Sequence, residues 1–233
     1  MRSSSPLLER QECAGAGVHD AISAIIAEKE GFDFLWLSSF ALSAAIGLPD
    51  VGLINVEDVL SLVRPLERVT RLPLVVDLDA GHGVPLQTNL VVEKLVRAGV
   101  AAVCIEDNPA EKRCSLYDEY DRTLAPVEVH EVRIRAARTA VDARGSNCAV
   151  IARTEALVAG LGVDECLRRA AAYADAGADA VFVQSVSSSP DELMEFLKLW
   201  NSRTPVFLAP TRYPDLSRSA FFAAGATHVI YAN

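Results

Sequence analysis

A (β/α)8 barrel of the TIM type is the α/β fold class that the sequence predicts, and three observations predict it. Eight short apolar runs alternate with helical stretches along the 233 residues, the runs are nearly continuously apolar, and three of the helical stretches end in Ala-Gly just before the next run. Parallel strands covered on both faces need that continuous apolar character, and glycine suits a left-handed helix C-cap. A doubly wound sheet would usually contain fewer strands. With 51% hydrophobic and 23% charged residues, the composition is that of a globular chain, and the length suits one large domain over residues 1–233.

Taken in order, strands are predicted at 13–18 (CAGAGV), 32–38, 73–79, 101–106, 147–153, 178–184, 205–210 and 226–231, each rich in Val, Ile, Leu or Ala. Amphipathic segments lie between them at 19–30, 56–70, 86–98, 127–144, 164–176, 190–201 and 215–224, giving seven helices. Ala98-Gly99, Ala176-Gly177 and Ala224-Gly225 close three of them. Phe196 and Trp200 read as helix core contacts; His82, His130 and His228 read as turn, helix-surface and strand residues. The sequence stops at Asn233, just after the eighth strand, with the eighth helix missing. Either the chain is truncated or something else, such as another subunit, covers that strand. No linker, low-complexity tract or charge block marks a second domain.

Twenty-two basic against 31 acidic residues give a net charge of −9, which argues against nucleic acid as a partner. No apolar run approaches the roughly 20 residues that cross a bilayer, and the start MRSSSPLLERQE lacks the apolar core of a signal peptide. A cytoplasmic protein without membrane attachment is expected. Cys13, Cys104, Cys114, Cys148 and Cys166 are scattered and lack CxxC spacing, so reduced, mostly buried thiols are expected rather than disulfides or a zinc site.

In such a barrel the chemistry belongs at the C-terminal ends of the strands. The third strand ends in Val76-Asp77-Leu78-Asp79-Ala80-Gly81-His82-Gly83 and the fourth in Ile105-Glu106-Asp107. Asp77 and Asp79 share a face if the strand stays regular, and Glu106 can reach the same spot. Clustered carboxylates call for a cation; Mg²⁺, with Mn²⁺ as a substitute, suits oxygen ligands and retained waters. Asp107 is as readily a helix cap or an ion-pair partner. Arg153, at the end of the fifth strand, can hold a substrate carboxylate or phosphonate in a bidentate fork, or pair with Glu155 or Glu106. After the second strand, Trp36-Leu37-Ser38-Ser39-Phe40 offers hydroxyl and backbone donors for an oxyanion, or a plain turn.

Several motifs together carry a resemblance. GVHDA at Gly17–Ala21, WLSSFALSAAIGLPD from Trp36 to Asp50, DLDAGHG from Asp77 to Gly83, IED at Ile105–Asp107, IARTEALVAGLG from Ile151 to Gly162, PTRY at Pro210–Tyr213 and YAN at Tyr231–Asn233 resemble, in order and spacing, the phosphoenolpyruvate mutase/isocitrate lyase superfamily over nearly the whole chain. The resemblance implies a Mg²⁺-dependent barrel acting on α-keto acids through an enolpyruvate-like species. The positions matching Asp77, Asp79 and Glu106 hold the metal directly or through waters; Arg153 binds the substrate's acid group; and Trp36, Ser38, Ser39, Phe40 and Gln184 contribute to substrate binding. Asp50 matches an acid near the reacting group. The family also exchanges its last helix between subunits, so a homo-oligomer, dimer or tetramer, is implied.

The loop after the fourth strand departs from one branch. Phosphonate mutases and hydrolases usually carry a pattern like EDKxFPKxNS; this chain keeps the second lysine as Lys112 and the serine as Ser115, with Asn108 at the first lysine and Cys114 at the asparagine. Lys112-Arg113-Cys114 instead resembles the loop of the carbon–carbon lyases, whose cysteine is a general acid/base, though the Gly-His that follows there is replaced by Ser115-Leu116. Gly47–Gly52 also resembles the lyases, whereas Trp36–Ala45 and PTRY resemble the mutase and hydrolase branch, and Gln184 favours neither. The expectation is an enzyme making or breaking a C–P bond in a phosphonopyruvate- or phosphoenolpyruvate-type keto acid. The alternatives are a lyase or decarboxylase acting on a 2-alkylmalate- or oxaloacetate-like acid with Cys114 as acid/base, and a weakened paralogue serving as a keto-acid-binding or assembly subunit.

Overall fold

The computed structural model describes residues 5–109, 112, 114, 122–201 and 203–232. Eight parallel strands close into a barrel: β1 (Cys13–Val18), β2 (Phe34–Leu37), β3 (Leu74–Asp77), β4 (Ala102–Glu106), β5 (Ala149–Thr154), β6 (Ala180–Val183), β7 (Val206–Leu208) and β8 (His228–Tyr231). Their order round the barrel is the order in the chain, and β1 meets β8 with Ala14 beside Val229. β1 matches its predicted run, and the other seven strands are shorter than theirs at one end or both, because the flanking residues turn into loops. The consequential case is β3, which stops at Asp77: Asp79 has φ 49°, in the left-handed region, so the regular alternation that would place Asp77 and Asp79 on one strand face ends there.

Seven helices wrap the barrel as expected: α2 (Ala21–Lys29), α4 (Val56–Val69), α5 (Pro85–Arg97), α6 (Val127–Ala143), α7 (Gly162–Asp175), α8 (Asp191–Trp200) and α9 (Arg218–Ala224). Two short ones, α1 (Pro6–Glu9) and α3 (Ser39–Ala45), were not anticipated. No helix follows β8 among the described residues. Local chemistry sets the boundaries. Asn55 caps α4 by accepting the N–H groups of Glu57 and Asp58, while Asp58 returns a carboxylate to the Asn55 N–H at 3.0 Å. Gly99, Gly177 and Gly225 adopt φ of 88°, 110° and 115° after α5, α7 and α9, the left-handed turns that the Ala-Gly pairs indicated.

Alternation along each strand sorts two layers. Phe34 and Trp36 of β2 point with Val75, Cys104, Ile151, Phe182, Phe207 and Ile230 into one cluster inside the barrel; Leu35 and Leu37 pack outward with the helices. The interior is so full that β1 runs as glycine: a Cβ on Gly15 would come within 2.2 Å of the Phe34 ring, and one on Gly17 within 2.3 Å of the Ala232 carbonyl oxygen. At the N-terminal end, α1 tucks Leu7 under the barrel, where the His228 Nε2 lies 3.1 Å from the Leu7 carbonyl and the imidazole stacks on Phe207. Phe196 and Trp200 are buried core contacts, and all five cysteines are free and buried. His130 corrects the expected surface position: it is fully buried, its ring 4.4 Å from that of Tyr173, because this face of α6 packs toward α7.

Candidate active site

A pocket opens at the C-terminal mouth of the barrel, walled by Trp36, Ser38, Ser39, Phe40, Asp50, Asp77, Lys112, Cys114, Arg153, Phe182 and Gln184, with Ser185, Val186, Ala209, Thr211, Arg212 and Ala232 completing it. Trp36 and Phe182 meet edge to face at 5.4 Å. The Arg153 guanidinium lies over the Phe182 ring at 4.9 Å. Arg153 Nε is fixed by Glu155 Oε1 at 2.6 Å and lies 3.5 Å from Glu106 Oε2, so the ion pairs considered for this arginine exist alongside its place in the pocket wall. Gln184 Nε2 donates to the same Glu155 oxygen at 3.3 Å.

Lys112 reaches into the acidic side. Its Nζ donates to Asp50 Oδ1 at 2.5 Å and to Ser39 Oγ at 2.8 Å, and lies 2.6 Å from Asp79 Oδ1 as a charge contact without hydrogen-bond alignment. Ser39 Oγ donates onward to Asp77 Oδ2 at 3.1 Å. Ser38 Oγ accepts the Ala41 N–H and caps α3. The Ser39 hydroxyl proton is thus directed at a carboxylate, whereas Ser38 Oγ serves the helix terminus as an acceptor and keeps its own O–H as a donor. Cys114 is buried against the pocket. Arg113, Ser115 and Asn233, which took part in the sequence motifs, lie outside the described residues.

The charges do not balance. Among the described residues, Asp50, Asp77, Asp79, Glu106 and Glu155 are all buried here, against the buried cations Lys112 and Arg153. Burial, reinforced by Asp79, holds the Asp77 carboxyl above its ordinary value, and burial pushes Glu106 up to about 8 against the opposing pull of Arg153. Burial disfavours the Lys112 charge, yet Asp79, Glu106, Asp77 and Asp50 hold its ammonium above the usual lysine range. Glu155 Oε2 is buried without a hydrogen-bond partner. Among the described residues, no three His, Cys, Asp or Glu side chains are grouped as a ready set of direct metal ligands.

Neighbouring Asp107 belongs elsewhere. It accepts from Thr154 Oγ1 at 2.9 Å, the Glu155 N–H at 2.8 Å, Arg169 at 3.0 Å and the Tyr173 hydroxyl at 2.8 Å, which ties the end of β4 to β5 and α7. Asn108 replaces a cation with an amide: its Nδ2 donates to Glu106 Oε1 at 2.8 Å, while Arg133 holds its carbonyl at 2.8 Å. Phe182 and Ser185 were not singled out from sequence, and Thr211 and Arg212 appeared there only within the PTRY motif, without a role in the site. Each lies at or within a few residues of the end of β6 or β7, the signal that could have placed them in the site.

Comparison with known proteins agrees with this architecture. The family model described as phosphoenolpyruvate phosphomutase matches residues 8–233. A phosphoenolpyruvate phosphomutase from Streptomyces platensis subsp. rosaceus superposes with a TM-score of 0.92 at 37% identity, over 99% of this chain and 81% of its own. A phosphonopyruvate hydrolase solved with oxalate and Mg²⁺ gives 0.85 at 34% identity, over 95% and 75%. A 2-methylisocitrate lyase from Halalkalibacterium halodurans is 35% identical over 92% of this chain and 69% of its own length. The chain belongs to the phosphoenolpyruvate mutase/isocitrate lyase superfamily of enzymes.

Proposed function

We propose that the protein is a Mg²⁺-dependent enzyme that makes or breaks the C–P bond of a phosphonopyruvate- or phosphoenolpyruvate-type keto acid, Mn²⁺ serving as a substitute. The observation that carries the reading is the surplus of buried carboxylates at and beneath the pocket: among the described residues five accompany two buried cations, and Glu155 Oε2 has no hydrogen-bond partner. An all-oxygen donor set short of positive charge fits a hard divalent ion. Mg²⁺ usually binds proteins through one or two carboxylates and keeps several waters, so Asp77, Asp79 and Glu106 fit it without converging on one point. When bound, the ion supplies Lewis-acid stabilisation of negative charge developing on the keto oxygen.

The chain's own residues do the rest. Arg153, held through Nε by Glu155, takes the substrate's acid group from the pocket wall. Trp36, Phe40 and Phe182 exclude water beside the reacting carbons, and Gln184 adds a polar contact. Lys112 and Asp50 form a buried pair at the rim that sets the charge near the transferred group. Residues 1–233 act as one barrel domain in a homo-oligomer located in the cytoplasm. Steady-state turnover of phosphonopyruvate, with Mg²⁺ and after chelation, tests the reading in the wild type and in Asp77→Ala. The expected outcome is activity only in the wild type with metal.

The place of Cys114 in the pocket wall favours one second reading, a carbon–carbon lyase in which this thiol protonates the departing carbanion. Cleavage of an alkylmalate lost in Cys114→Ser would support it.

A further inference from the structure

Among the described residues, three basic side chains line the pocket, and their partners differ. Lys112 is held by Asp50 and Asp79, and Arg153 by Glu155 and Glu106. Arg212 is exposed at the mouth and makes no hydrogen bond or ion pair with the described residues. It follows β7, four strands round the closed barrel from β3, so it faces Asp77 across the opening. The turn that carries it is anchored: the next residue, Tyr213, is buried, donates its N–H to the Pro210 carbonyl at 2.9 Å and its hydroxyl to the Ser189 carbonyl at 3.1 Å, and packs near Phe221. Gln184, Ser185 and Thr211, the other polar side chains on this side of the pocket, carry no charge that would neutralise it. The pocket therefore has two unlike ends. One is rich in carboxylates, and the other presents a guanidinium that no described residue pairs with.

We propose that Arg212 is a specificity-determining residue that receives a second acidic group on the substrate, a phosphonate or carboxylate at C3, while the keto-acid end lies toward β3–β5. The inference rests on the keto-acid reading of the site. A planar guanidinium presents a fork to either oxyanion, and an anion placed against it replaces water on a cation that no carboxylate of the described residues pairs with. Selection follows from the charge at C3: a keto acid without it leaves Arg212 solvated and gains nothing from it.

Displacement calorimetry in Mg²⁺ separates the possibilities. Oxalate, which mimics only the keto-acid end, is bound first, then displaced by pyruvate, sulfopyruvate or oxaloacetate, which differ only at C3. In Arg212→Gln, oxalate and pyruvate should bind within about twofold of wild type, while the C3-charged acids weaken roughly tenfold or more, as for a lost hydrogen bond to a charged group. Arg212→Lys should restore part of that loss. A larger loss for sulfopyruvate would assign a tetrahedral group such as phosphonate to Arg212, and a larger loss for oxaloacetate a carboxylate. Equal effects on pyruvate and the C3-charged acids, or no effect on any, would overturn the assignment. Failure of oxalate to bind the wild type would overturn the keto-acid reading itself.

Discussion

Glu106 and Asp107 stand side by side at the end of β4 and do opposite work. Alternation sends Glu106 toward Arg153 and the pocket, whereas Asp107 turns toward Arg169 and Tyr173 in the shell behind it. Such a pair is hard to separate in sequence, because both are acids at a strand end; only the partner on α7 decides. Asp77, Asp79 and Arg153 were legible because the barrel rule points to strand ends and the residues just after them, whereas Asp50 came from the resemblance. Lys112 was likewise legible only through the resemblance, since nothing in its local pattern shows that it folds back onto Asp50. Replacing Lys112 with Ala leaves Asp50 and Asp79 facing each other without a cation, and kcat/KM should fall by about 10² or more, the scale of a lost electrostatic contact at a reacting group. Unchanged kinetics would remove Lys112 from the site. Cys114→Ser should cost about 10² to 10⁴ in kcat if the thiol transfers a proton, and much less if a phosphoryl group moves.

At the scale of elements, seven barrel helices were visible because each pairs an apolar stripe with a cap or a closing turn. The short α3 was not: SFALSAA holds small and apolar residues without a face, and its start is set by the Ser38 cap. The β1 strand shows the tightest constraint. Since a Cβ on Gly17 would press on the Ala232 backbone rather than on a movable side chain, Gly17→Ala should lower stability by roughly 1–3 kcal/mol through overpacking. Urea denaturation measures this, and an unchanged midpoint would mean that the last strand can shift away.

For the whole molecule, two buried histidines set an acid limit. Burial lowers both His130 and His228 to about 4. Between about 6.5, where an unfolded histidine takes a proton, and about 4, the unfolded chain binds more protons than the native one, so stability falls as pH falls across that window. The melting temperature should decline from pH 6.5 to 4 more gently in His228→Gln than in the wild type; parallel slopes would show that His228 contributes nothing. Metal binding acts in the other direction, since an ion bound only by the folded barrel raises the melting temperature with its concentration. A Mg²⁺ titration that left the wild type unmoved would count against the carboxylate cluster as its site. The central claim, a metal-dependent reaction at the C–P bond, is tested most directly by ³¹P NMR of the protein with phosphonopyruvate and Mg²⁺ beside a chelated control. The expected result is loss of the phosphonate resonance with metal alone, giving phosphoenolpyruvate for a mutase or inorganic phosphate for a hydrolase. A spectrum that stays unchanged with Mg²⁺ would contradict it.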